Sequence, residues 1–152
     1  MGGALAYNRA EADIMVLDSE RRPALIAEIK AGSSLLPEDL EPSIELLRSY
    51  ADRAQSPFMA LVTLSKIMIW RRDQPAGEPV CTLNTGAILQ RYMAYSDPTT
   101  ADHLSLSTAA KQWLQDLILH WHEGNPPFEE EAGRIGLLDA IRDGEVLIGA
   151  AL

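Results

Sequence analysis

Two apolar runs of strand length near the start of the chain constrain the fold most. The first is Ala12-Asp13-Ile14-Met15-Val16-Leu17-Asp18 and the second is Pro23-Ala24-Leu25-Ile26-Ala27-Glu28-Ile29-Lys30. The polar segment Ser19-Glu20-Arg21-Arg22 separates them, as expected of a turn between strands. Side chains two apart on a strand share a face. Glu28 and Lys30 therefore project together, opposite Ile29. Pairing of the two runs as a hairpin would bring Asp13 and Glu28 to the same end of it. Two carboxylates beside a lysine suit a hard divalent cation and an attacking water.

Beyond the hairpin, Leu40, Ile44, Leu47, Tyr50/Ala51 and Ala54 recur at helical spacing and predict a helix over 38–54. Pro37 and Pro42 fall near its start, where proline costs least. Ser56-Pro57 ends it. Phe58–Thr63 and Ile67–Trp70 follow as apolar strands around Leu64-Ser65-Lys66. The breakers in 73–79 mark a loop, Val80–Leu83 an edge strand, and Ala87–Tyr95 a short helix stopped by Asp97-Pro98. Leu106, Ala110, Trp113, Leu114, Leu117, Ile118 and Trp121 form the clearest amphipathic stripe, on a helix over about 105–122. Gly124-Asn125-Pro126-Pro127 stops it. Glu129-Glu130-Glu131 opens a last helix running to about Arg142, with negative charge where the helix dipole favours it. The apolar tail Glu145–Leu152 is expected to add a strand or to cover a partner chain. The expectation is one domain over 1–152, with a core at 10–72 and a mainly helical part at 87–142.

Residues 10 to 72 of this pattern resemble the PD-(D/E)XK nuclease superfamily. That superfamily carries an Asp on one strand and Glu-x-Lys on the next, here Asp13 and Glu28-Ile29-Lys30. It is most similar to the nuclease-type domain at the start of type I restriction enzyme R subunits. There a helix leads to a strand ending in Thr and a hairpin strand ending in Trp, matched here by Tyr50-Ala51, Phe58–Thr63 and Ile67–Trp70. The resemblance implies a restriction-endonuclease-like α/β fold: a mixed central sheet flanked by helices, with a helical C-terminal part. It implies a hydrolase, a metal-dependent phosphodiesterase acting on nucleic acid. Asp13, Glu28 and the Ile29 carbonyl would hold Mg²⁺ or Mn²⁺, and Lys30 would position the water.

The chain also departs from that pattern. Too few residues precede Asp13 for the helix that often supplies an extra Glu, and Glu11 is the only acidic residue upstream. Leu46 stands where related domains place a Gln, and Gln55 is off that register. The alternative is therefore an inactive protein of the same fold, acting as a dimeric interaction or regulatory module.

Charge bears on both readings. The net charge is −9. Residues 1–72 hold 9 Lys and Arg against 10 Asp and Glu, net −1, while 73–152 hold 4 against 12, net −8. Nucleic-acid affinity comes largely from cations meeting phosphates, so this chain alone should bind weakly. Arg21-Arg22 and Arg71-Arg72 are read either as phosphate contacts or as solvated strand-end charge. A homodimer built on the long helix or the tail is expected, with a partner subunit as a further option. No apolar run reaches 18 residues, so no membrane span is expected. The absence of a signal pattern and the single Cys81, read as a buried or half-buried thiol, point to a cytoplasmic protein.

The other constellations carry less. His120-Trp121-His122-Glu123 spaces its histidines two apart, about 200° around a helix, so they suit the helix dipole rather than zinc. His103 stands isolated in sequence, and Ser33-Ser34 reads as loop.

Overall fold

The computed structural model describes residues 11–31, 37–74, 77–93, 102–121 and 124–152. The strands are β1 (Glu11–Leu17), β2 (Pro23–Lys30), β3 (Phe58–Thr63), β4 (Lys66–Arg71), β5 (Cys81–Asn84) and β6 (Glu145–Ala151). The helices are α1 (Pro37–Ala54), α2 (Thr85–Met93), α3 (His103–Leu119), α4 (Glu129–Arg134) and α5 (Leu137–Ile141). The result is a mixed α/β architecture with one six-stranded sheet in the order β5-β4-β3-β2-β1-β6. Only the β2–β3 pair is parallel, and α1 supplies its crossover.

The central strands are apolar because both faces of the sheet are covered. All six residues of β3 are buried, as are Ala24–Ala27 of β2. On one face, Met15, Ile26, Met59, Leu61, Met68 and Trp70 pack against Leu40, Leu47 and Ala51 of α1. On the other, Ile14, Leu25, Val62 and Ile69 meet Ile88, Leu106, Trp113, Leu117 and Leu137 from the remaining helices. Leu47 and Ala51 are fully buried, while Leu46 is 48% exposed on the outer side of α1.

The β1–β2 turn is built by Asp18, whose Oδ1 accepts the Glu20 and Arg22 amides at 2.9 Å each. Those bonds hold its carboxyl below the usual range. Arg21 takes a positive φ there and pairs with Glu145 at 2.8 Å, tying the turn to the start of β6.

Several expected boundaries change. The last helix is not continuous from 129 to 142. Gly136 adopts φ +90° and splits it into α4 and α5. The long helix starts at His103, because Asp102 caps it by accepting the Ser105 amide. It ends at His120, which turns left-handed, so Trp121 leaves the apolar stripe and is 50% exposed. The tail forms β6, an edge strand on β1. The short helix begins at Thr85, and its expected end at Tyr95 lies outside the described residues. So do His122, Glu123, Ser33, Ser34, Asp97 and Pro98. No helix among the described residues is long and apolar enough to cross a membrane.

Candidate functional site: a carboxylate pair at the end of the β1–β2 hairpin

Asp13 and Glu28 face each other across the β1–β2 hairpin, one step beyond the last regular pair, Ile14–Ala27. The backbone ladder gives way there to side chains. Asp13 Oδ2 accepts the Ile29 amide at 2.8 Å, and Glu28 Oε1 accepts the Asp13 amide at 3.4 Å. Each carboxylate thus holds the opposite strand. Both side chains are half-buried.

Two carboxylates in one half-buried place cannot both keep their charge cheaply. Glu28 is pushed up to about 8 by burial first, then by the Asp13 charge and a hydrogen bond between the two carboxyl groups. The positive charge of Lys30 works against that rise, so it lies within electrostatic reach. Lys30 is exposed at the end of β2, beside Thr63 of β3. Thr63 itself is buried and closes the β3–β4 turn: its hydroxyl donates to the Lys66 carbonyl at 2.9 Å and accepts the Lys66 amide at 3.1 Å. The four residues anticipated for the site, Asp13, Glu28, Ile29 and Lys30, therefore gather at one end of the sheet.

One neighbour was not anticipated. His103 opens α3 with its Nε2 3.8 Å from Asp13 Oδ2, and its ring is more than half exposed. Asp102 caps that start by accepting the Ser105 amide, and the packing of α3 brings it to Asp13. Asp116 is a second residue that was not anticipated. It is fully buried and accepts the Tyr92 hydroxyl at 2.6 Å, joining α3 to α2. Burial and that contact push the Tyr92 hydroxyl upward.

The remaining candidates take structural places. His120 hydrogen-bonds Glu129, linking the end of α3 to α4. Glu11 is exposed at the start of β1. Cys81 is half-buried, and burial pushes its thiol up. Arg22 pairs with Asp18 and Glu20 at the β1–β2 turn. Arg71 bonds the Ile135 carbonyl and Arg72 the Ser56 carbonyl. All four arginines of the two pairs sit at the opposite end of the sheet from Asp13 and Glu28.

The two facing carboxylates are oxygen donors of the kind a hard cation takes. Among the described residues, no three His, Cys, Asp or Glu side chains converge on one point. A cation here would thus rely on the carboxylate pair, main-chain oxygen and water, a coordination Mg²⁺ accepts because it keeps several waters. No family model, curated protein or solved structure matches the chain.

Proposed function

We propose that the chain is a metal-dependent phosphodiesterase acting on nucleic acid, built in the manner of the restriction-endonuclease-like folds. The observation that carries this reading is the Asp13–Glu28 pair, with Glu28 raised to about 8 beside Lys30. A half-buried carboxyl that holds a proton near neutrality beside a second carboxylate is a place where a cation gains by replacing the proton. Asp13, Glu28 and the Ile29 carbonyl would hold Mg²⁺ or Mn²⁺, which would supply charge for the phosphate and a more acidic water. Lys30 would orient the attacking water and meet a phosphate oxygen. Asp13 also holds Ile29 by accepting its amide.

The test is cleavage of DNA and RNA by the purified chain in Mg²⁺ or Mn²⁺. Asp13→Asn, Glu28→Gln and Lys30→Ala should each lower the rate at least about a hundredfold, the usual scale for a catalytic group. Lys30→Ala should keep cation binding, because an ammonium is not a ligand. Cleavage that survives in all three folded variants would refute the reading.

The second reading is an inactive relative serving as a homodimeric or partner-bound module. It is favoured by one observation: both carboxylates already accept main-chain amides, so they also serve as a hairpin clamp. An unreactive chain whose clamp variants merely lose stability would select it.

A further inference from the structure

At the end of the sheet remote from Asp13 and Glu28, a cavity of about 390 Å³ lies between the β3–β4 ends and the α4–α5 turn. Pro57, Phe58 and Ile135 form its apolar wall, and Arg71, Arg72, Asp73 and Gly136 complete it. Its size falls within the range of small-molecule sites. Its lining holds two guanidiniums against one carboxylate, a cationic lining on a chain of net charge −9.

Both arginines are held in place. The Arg72 amide donates to the Pro57 carbonyl at 2.9 Å, and its Nε donates to the Ser56 carbonyl at 3.0 Å. Arg72 Nη1 makes an ion pair with Asp52 at 3.9 Å. Arg71 Nε and Nη2 both donate to the Ile135 carbonyl, clamping the α4–α5 turn onto β4. Each fork thus keeps N–H groups beyond those its tethers use. Ordering costs are already met, which favours binding. Gly136 shapes the floor: a Cβ there would stand 3.7 Å from Arg71 Nη2 and 3.9 Å from the Phe58 ring, inside the space a ligand would fill.

We propose that this cavity binds a small organic oxyanion: a phosphate or carboxylate on a compact, flat apolar body. The headgroup would take the remaining Arg71 and Arg72 N–H groups, for which a guanidinium fork is suited. The body would lie against Phe58, Pro57 and Ile135. The site is separate from the carboxylate pair and does not depend on the phosphodiesterase reading.

Calorimetric titration of the full chain with phenyl phosphate, benzoate and inorganic phosphate tests it. Phenyl phosphate or benzoate should bind, and whichever binds tighter identifies the headgroup. Inorganic phosphate should bind more weakly than phenyl phosphate, because it lacks the apolar body. Arg72→Gln should weaken binding about tenfold, the scale of one charge-assisted contact. Asp73→Asn, at an exposed position, should tighten it, because an opposing charge is removed. That second variant keeps the test sound if Arg72→Gln loses stability with its tether. No binding of either aryl anion, or binding indifferent to Asp73→Asn, would overturn the proposal.

Discussion

A single carboxyl, Glu28, carries most of the chemical argument. Its pKa near 8 is far above the ordinary value of 4.5, and burial is the first cause. The folded state therefore holds this proton more tightly than the unfolded chain. Its contribution to stability is complete below about pH 4.5, falls as pH rises, and is gone above about pH 8. In chelator, the melting temperature should decline across that window. Glu28→Gln, which stays neutral, should remove this part of the decline and leave the variant the more stable of the two near pH 8. An unchanged slope would mean that Glu28 does not carry the proton. The pairing of Asp13 with Glu28 was legible from strand alternation and the length of the turn. The approach of His103 was not, since 90 residues separate it from Asp13 and nothing local to either encodes the contact.

At the scale of elements, strands were read closely because their apolar runs are bounded by turn residues. Ser56-Pro57 before β3 is one such boundary, and the Asp18 turn before β2 is another. Helix ends were read less well. Trp121 fits the spacing of the α3 stripe, yet His120 ends the helix one residue earlier and sends Trp121 to the surface. Gly136 sat inside an otherwise helical pattern, and only its left-handed φ shows that it breaks the segment. A second glycine makes the sharper prediction. A Cβ at Gly144 would stand 2.1 Å from the Leu17 carbonyl oxygen and 2.8 Å from that of Ile141. Backbone must shift to admit it, so Gly144→Ala should cost at least about 2 kcal/mol in chemical denaturation and loosen β6 from β1. On the opposite face, Leu47 is fully buried between α1 and the sheet. Leu47→Ala should cost about 2–5 kcal/mol.

Over the whole molecule, the sheet separates two kinds of chemistry. The carboxylate pair stands at the end marked by Lys30 and Thr63, and the arginine-lined cavity stands at the end marked by Phe58 and Arg71. Among the described residues, the cations nearest the pair along the strands are Lys30 and Lys66. With so few among the described residues, nucleic-acid binding should be weak and should depend only shallowly on salt. The central claim is that Asp13 and Glu28 together take a cation in place of a proton. Calorimetry of Mg²⁺ or Mn²⁺ binding near pH 7, repeated in buffers of different ionisation enthalpy, measures this exchange directly. The account predicts release of close to one proton per ion bound by the unmodified chain and none by Glu28→Gln. Binding with no proton release, or no binding at millimolar cation, would contradict it.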